Sequence, residues 1–236
     1  MSRGKPLVRP VKSRGEPCVR PVKSEMLVNE IFKSIQGESS YAGLPCCFIR
    51  LTGCNLSCSY CDTSYARYDG REMTVPSIIS LVDNLGINLV EITGGEPLIQ
   101  KETPLLAETL LKKGFTVLIE TNGSMDIDIV PRKALIIMDL KCPGSEMSGR
   151  MDMKNIEKLS AKDEVKFVIQ DRRDYLWSVE KIKEYELTTK SHIIFSSVHG
   201  RLEPKTLVAW IMEDNLNVRF QLQLHKYIWG ADVKGV

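Results

Sequence analysis

Residues 46–61 read Cys46-Cys47-Phe48-Ile49-Arg50-Leu51-Thr52-Gly53-Cys54-Asn55-Leu56-Ser57-Cys58-Ser59-Tyr60-Cys61. The first seven, Cys46 to Thr52, form a mostly apolar run of strand length. The next nine hold three thiols spaced C-x3-C-x2-C. Thiolates are soft ligands that select zinc, copper(I) or iron–sulfur clusters. A structural zinc site closes its tetrahedron with four protein ligands, whereas a cubane held by three cysteines leaves one iron open to another ligand. The spacing favours the cluster. Zinc stays open, because Cys142 could approach in space; Cys46 and Cys47, adjacent on a strand, point to opposite faces.

The same grammar of apolar run followed by polar loop recurs on both sides. Strands are expected at Met26 to Ile35, Leu89 to Thr93, Thr116 to Thr121, Leu135 to Leu140, Val165 to Ile169, Ile193 to Ser197 and Val218 to Leu224. Helices are expected at Pro76 to Leu85, Thr103 to Lys113, Met153 to Leu159, Arg172 to Tyr185 and Pro204 to Asn215, with Pro76 in a first turn and Gly86 as a C-cap. Strands alternating with helices define an α/β fold with a parallel sheet and helices outside it. The length falls short of the roughly 250 residues of a full eight-fold barrel, so the expectation is an open, partial βα barrel of about six core parallel strands. In such folds chemistry gathers at the carboxyl ends of the strands. Polar residues stand at those ends: Gln36-Gly37-Glu38, the cysteine loop, Thr93-Gly94-Gly95-Glu96-Pro97, Glu120-Thr121-Asn122-Gly123, Asp139-Leu140-Lys141 and His225-Lys226.

At 236 residues, with 43% hydrophobic and 26% charged residues, the chain suits one sizeable core. Its formal charge of +2 is unevenly spread. Residues 1–24 carry seven basic side chains against Glu16 alone, or +6, which leaves −4 for residues 25–236. A mildly acidic globular part argues against a nucleic-acid partner. The basic leader holds a tandem 11-residue duplication, RGKPLVRPVKS and RGEPCVRPVKS, whose prolines and low apolar content predict disorder. The expected boundary is therefore a disordered basic tail over 1–24 and one domain over 25–236. No apolar run approaches the roughly 20 residues needed to span a bilayer, no signal peptide is visible, and seven cysteines, an odd number, fit metal binding in a reducing compartment better than a disulfide framework. The cytoplasm is the expected location, with no membrane partner.

Cys54, Cys58 and Cys61, with Tyr60 before the last and Gly94-Gly95-Glu96-Pro97 further on, resemble the radical S-adenosylmethionine superfamily. That resemblance implies a [4Fe–4S] cluster on the three cysteines, with S-adenosylmethionine chelating the open iron. Gln36-Gly37-Glu38, Arg50, Cys61-Asp62-Thr63 and Gln223-Leu224-His225-Lys226-Tyr227-Ile228-Trp229 narrow it, being similar to the 7-carboxy-7-deazaguanine synthase family from about Met26 onward. The implied reaction turns 6-carboxy-5,6,7,8-tetrahydropterin into 7-carboxy-7-deazaguanine with ring contraction and ammonia release, on the route to queuosine and other deazapurines. A magnesium ion, a reductant such as flavodoxin or ferredoxin, and a homodimer are implied as well.

Site residues follow from the resemblance. Thr63 matches the magnesium ligand, and Arg50 a partner of the substrate carboxylate, for which its planar fork is suited. Ile35, Gln36, Gly37, Thr93, His225 and Trp229 match the substrate side. Tyr60, Cys61, Asp62, Gly94, Gly95, Glu96, Asp139 and Lys141 match the S-adenosylmethionine side, where two glycines let backbone approach a ligand closely and Glu96 adds negative charge near the sulfonium. Read without the resemblance, Arg50 is a snorkelling strand residue, Thr63 and Glu120-Thr121-Asn122-Gly123 are turn residues, and the Asp62 side chain suits a helix N-cap. His192 and His199 read as structural, and Trp210 with Met212 as core and interface. Two other functions share the loop: a radical S-adenosylmethionine activase acting on a glycyl radical protein, and a zinc-stabilised binding module without catalysis.

Overall fold

A computed structural model describes residues 25–236; the duplicated leader lies outside the described residues. Among the described residues nine strands form one hydrogen-bonded sheet: β1 (Glu25–Ile35), β2 (Pro45–Leu51), β3 (Arg71–Thr74), β4 (Leu89–Gly94), β5 (Thr116–Thr121), β6 (Leu135–Asp139), β7 (Glu164–Ile169), β8 (His192–Ser197) and β9 (Arg219–Phe220). The order across the sheet is β3-β1-β2-β4-β5-β6-β7-β8-β9. From β2 to β9 every pairing is parallel. β3 and β9 are the free edges, so the barrel is open, with six full parallel strands and the two-residue β9 as a seventh.

Two strands depart from the all-parallel expectation. β1 runs antiparallel to both β2 and β3. Parallel neighbours need a crossover of a dozen or more residues, and the link from Ile35 to Pro45 is too short for one. β3, short and polar, lacks the apolar signature of a strand. The expected strand at Val218 to Leu224 shrinks to Arg219–Phe220, because Gln221 and Gln223 turn their side chains to the backbone of Ser39 and the carboxylate of Glu38.

The helices α1 (Val75–Leu85), α2 (Thr103–Lys112), α3 (Arg172–Glu184), α5 (Pro204–Glu213) and α6 (Leu224–Ile228) come after strands, and the short α4 (Leu187–Lys190) comes directly after α3. α1 starts where the Thr74 hydroxyl accepts from Ser77 N at 3.3 Å and ends at Gly86, whose φ of 67° suits glycine. Met153–Lys158 is a 3-10 helix rather than an α-helix. Trp210 packs on Tyr175 at 5.3 Å between ring centroids, whereas Met212 is exposed instead of serving the core.

Strand periodicity separates packing from chemistry. Outward residues such as Ile49, Leu51, Val90, Ile92, Val117, Ile119, Phe167 and Phe195 meet Ile78, Leu106, Leu110, Tyr175 and Leu207 from the helices in one core. Each such fully buried side chain stabilises by roughly 1.5–3 kcal/mol. Inward residues form a smaller apolar plug, with Cys46, Phe48, Leu89, Leu118, Leu135 and Ile137. Two residues further along the same inner faces the chemistry changes to Arg50, Glu91, Glu120 and Asp139, all lining a cavity. Cys46 and Cys47 fall on opposite faces, as strand alternation requires.

Candidate active site

The cavity inside the open barrel measures about 490 Å³. Cys54, Cys58 and Cys61 line its mouth. Cys61 is exposed and the other two are half-buried, and none forms a disulfide. Burial raises the Cys54 and Cys58 thiols above their ordinary range. The loop is clasped from three sides. Ser59 N donates to Ser145 O at 3.1 Å and Ser59 Oγ to Gly144 O at 2.7 Å. The Tyr60 hydroxyl donates to Val168 O at 3.1 Å. Arg201 bridges Ser59 O at 3.0 Å and Gln170 Oε1 at 2.6 Å, with its guanidinium 5.8 Å from the Tyr60 ring centroid.

The glycine turn meets this loop backbone to backbone. Gly95 N donates to Leu51 O at 3.2 Å and Glu96 N to Gly53 O at 2.8 Å. A Cβ on Gly94 would stand 2.2 Å from Leu51 O, and one on Gly95 2.1 Å from Gly53 O. The glycines thus press the end of β4 against the cysteine loop, as well as lining the cavity.

Thiol-rich geometry fits a cluster. Among the described residues no three His, Cys, Asp or Glu side chains converge on a single ion; a cubane is bound at separate irons and needs no such point. Cys142 is fully buried, 3.4 Å from Ser178 Oγ, and does not join the loop. The S-adenosylmethionine side also fits. Asp139 Oδ1 is buried without a hydrogen-bond partner, and Asp139 lines the cavity, ready for a ligand hydroxyl or ammonium. Its Oδ2 holds Lys141 Nζ at 2.8 Å.

The floor is built from the opposite direction. Ile35 pairs with Pro45, the first residue of β2, so Gln36-Gly37-Glu38 enters from the amino ends of the parallel strands rather than from their carboxyl ends. Ser40 N donates to Glu164, the first residue of β7, at 2.9 Å, which fastens the loop there. Gln36 Nε2 donates to Glu91, and Glu38 accepts from Lys166 Nζ at 2.8 Å. Lys166 also pairs with Glu120 and lies 3.5 Å from Asp139. Burial alone would lower the Lys166 pKa, but Glu120, Glu38 and Asp139 carry it well above the ordinary value. Glu38 responds oppositely: against burial, Lys166 and His225 pull it down to about 2. Glu91 is driven well above the ordinary carboxylate range by burial, with Glu120 adding to the effect.

Arg50 lines the cavity with its Nε on Glu30 Oε1 at 2.8 Å. The Tyr65 hydroxyl shares that carboxylate at 2.7 Å, and the guanidinium lies 5.8 Å from the Phe32 ring centroid. Among the described residues only its Nε has a hydrogen-bond partner, which leaves the terminal fork for a ligand carboxylate. Thr63 lines the cavity beside Cys61. Its hydroxyl donates to Asp62 Oδ1 at 2.9 Å, so its lone pairs are free for a hard cation.

Of the residues expected at the site, Ile35, Gln36, Gly37, Tyr60, Asp62, Thr93, Gly94, Gly95, Lys141 and His225 also line this cavity. Glu96 and Trp229 do not. Glu96 is fully buried; its carboxylate accepts from Leu98 N at 3.0 Å, Thr121 Oγ1 at 2.8 Å and Asn122 N at 2.7 Å. Burial outweighs these bonds and raises its pKa to about 7. It braces the strand ends instead of presenting charge to a sulfonium. Trp229 caps α6 away from the cavity. Asp62 is no N-cap: Thr63 takes that position in the following turn, and Asp62 pairs with Lys226 at 2.7 Å. His199, read as structural, lines the cavity, as do Glu120, Asn122, Arg67, Arg201 and Val236. Lys166 and Glu91 were missed inside strands, yet a charged residue in the otherwise apolar runs Val165–Ile169 and Leu89–Thr93 was a signal, since buried charges require partners.

An open parallel barrel with a three-cysteine loop at its mouth defines a radical S-adenosylmethionine enzyme, and residues 48–196 match the radical SAM superfamily. The chain is 43% identical over 226 residues to a 7-carboxy-7-deazaguanine synthase from Koribacter versatilis, covering 89% of this chain and all of that protein. It is 43% identical over 213 residues to a 7-carboxy-7-deazaguanine synthase from Chlorobaculum tepidum, covering 89% and 96%. The fold is similar to the crystal structure of QueE from Escherichia coli, with a TM-score of 0.69 at 22% identity, covering 85% of this chain and 95% of that one. The chain belongs to the 7-carboxy-7-deazaguanine synthase family.

Proposed function

We propose that this protein converts 6-carboxy-5,6,7,8-tetrahydropterin to 7-carboxy-7-deazaguanine with release of ammonia, in 7-deazapurine biosynthesis. One observation carries the reading: Arg50, Thr63 and the three cysteines share one cavity in a chain that spans a whole synthase at 43% identity. When bound, the [4Fe–4S] cluster and S-adenosylmethionine supply the hydrogen-abstracting radical. Cys54, Cys58 and Cys61 hold the cluster. Tyr60, Gly94, Gly95, Asp139 and Lys141 line the S-adenosylmethionine side, and Thr63 offers an oxygen to magnesium, which usually keeps several waters and takes the rest of its ligands from substrate.

Arg50 orients the substrate carboxylate by a charge-assisted fork. Ile35, Gln36, Gly37, Thr93 and His225 bound the pterin. The walls exclude water from it, which a reactive radical requires. Neither an activase for a glycyl radical protein nor a zinc module is supported by the relatives.

The domain is proposed to be 25–236, preceded by the basic leader. It is proposed to act in the cytoplasm as a homodimer, reduced by flavodoxin or ferredoxin, with no nucleic-acid partner. No helix among the described residues is long and apolar enough to cross a membrane. Anaerobic incubation of the reconstituted protein with carboxytetrahydropterin, S-adenosylmethionine, magnesium and a reductant should yield the deazaguanine and ammonia. Absence of both from protein carrying about four irons overturns the assignment.

A further inference from the structure

Asp62 separates Cys61 from Thr63, and its two oxygens serve different elements. Oδ1 accepts the Thr63 hydroxyl at 2.9 Å, and Oδ2 meets Lys226 Nζ at 2.7 Å. The lysine side chain is 8% exposed and the aspartate side chain 44%, so the contact is sheltered on the lysine side and open to water on the carboxylate side. Lys226 lies in α6 and also donates to Gln223 Oε1 at 2.8 Å. Gln223 donates to Glu38 at 2.9 Å, and Leu224 N to Gly37 O at 3.0 Å. The segment that carries Lys226 is fastened to the cavity floor and to the cluster loop at once. Its continuation adds Ala231, Asp232 and Val236 to the cavity wall.

A threonine hydroxyl has one hydrogen and two lone pairs, and it rotates freely when nothing holds it. A cation needs the lone pairs. With the hydrogen committed to a carboxylate, the oxygen is held as an acceptor, in the way that outer carboxylates orient the groups that bind a metal. We propose that Asp62 and Lys226 are a positioning pair for magnesium: Asp62 holds the Thr63 hydroxyl hydrogen, and Lys226 holds Asp62. The C-terminal segment must therefore be seated before the cation position beside the cluster loop is complete. Neither residue touches the cation. The inference rests on the proposed reading of Thr63 as the residue that faces magnesium.

The test uses reconstituted holoenzyme with substrate but without S-adenosylmethionine, so that no turnover is needed. Mn2+ replaces magnesium, and free Mn2+ is followed by electron paramagnetic resonance during titration. Asp62→Ala should weaken Mn2+ binding about tenfold or more, with iron content and the spectrum of the reduced cluster unchanged. Asp62→Asn keeps an acceptor for the hydroxyl and should recover most of that loss. Lys226→Met should weaken binding by less than Asp62→Ala, and the double variant should be no weaker than Asp62→Ala alone, because the lysine acts through the carboxylate. Unchanged Mn2+ affinity in Asp62→Ala, alongside a loss in Thr63→Ala, overturns the pair and leaves the magnesium reading standing. Unchanged affinity in Thr63→Ala overturns the magnesium reading, and the pair with it. Should Asp62→Ala fail to take up iron, Lys226→Met decides: it leaves the loop sequence intact, and unchanged affinity there refutes the pair.

Discussion

Gly95→Ala should cost the protein both stability and its cluster. The added Cβ would lie 2.1 Å from Gly53 O and 2.8 Å from Cys54 Cβ, where real contacts do not fall below 3.0 Å. Relief needs a separation of about 0.9 Å between the end of β4 and the cysteine loop, in an interior packed densely enough to transmit the strain. Two backbone bonds resist that movement, Gly95 N to Leu51 O at 3.2 Å and Glu96 N to Gly53 O at 2.8 Å. Overpacking of this kind costs about 1–3 kcal/mol, and a lost bond about 1 kcal/mol more. A total near 3 kcal/mol, over a urea slope of about 2–3 kcal/mol per molar, lowers the unfolding midpoint by about 1 M. Because Cys54 must move with Gly53, iron per chain should fall well below the four of a full cluster. Gly149→Ala is the control, since a Cβ there meets nothing within 4 Å. Gly95→Ala protein with an unshifted urea midpoint and full iron would refute the reasoning.

Lys166→Met should destabilise the protein by about 3–5 kcal/mol at neutral pH, because it strips the paired ammonium from Glu38 and Glu120 in a site where the lysine is 4% exposed. A loss under about 1 kcal/mol in urea unfolding would mean that those carboxylates are satisfied otherwise. Glu96 predicts a pH signature: its pKa rises from the ordinary 4.5 to about 7 on folding. Its contribution is fully present below about 4.5 and is lost as pH rises through about 7, some 3 kcal/mol over that window. Glu38 works in the opposite sense, its contribution being present above 4.5 and lost as pH falls towards about 2. Subtracting the profile of Glu96→Gln isolates the Glu96 slope, and parallel profiles between pH 4.5 and 7 would disprove it. Cys142→Ala should keep full iron, because that thiol is buried against Ser178; iron loss without unfolding would return it to the ligand set.

Much of the fold was legible because apolar runs of strand length alternate with amphipathic helices, a pattern that tertiary context rarely overrides. Strand direction was less so. Nothing in an apolar run tells which way it points, and β1 betrays its direction only through the short link to β2. The site was legible where chemistry is unusual for its place, as with three thiols in eight residues. It was obscured where one side chain does ordinary work under a suggestive motif. Glu96 follows two glycines in a turn typical of cofactor sites, yet its oxygens are occupied by Leu98, Thr121 and Asn122. Lys166 was hidden for the converse reason: it sits inside a strand, where packing is the default expectation, and its partners come from residues 38, 120 and 139.

The reversed direction of β1 changes what the cavity is. A parallel barrel alone brings functional groups to one end only, and a ligand there is met from above by loops. Here the hairpin between β1 and β2 supplies Gln36 and Glu38 from the other end, and the two sets meet at Lys166. That lysine takes Glu38 from the floor and Glu120 from the strands, so the floor loop and the strand ends are held by one ion-pair network with little water to screen it. α6 extends the same tie outward, from Gly37 and Glu38 to Asp62 beside Cys61. Floor, wall and cluster loop are thereby joined through named contacts, which run from Gly37 and Glu38 through α6 to Asp62, the residue that holds the Thr63 hydroxyl.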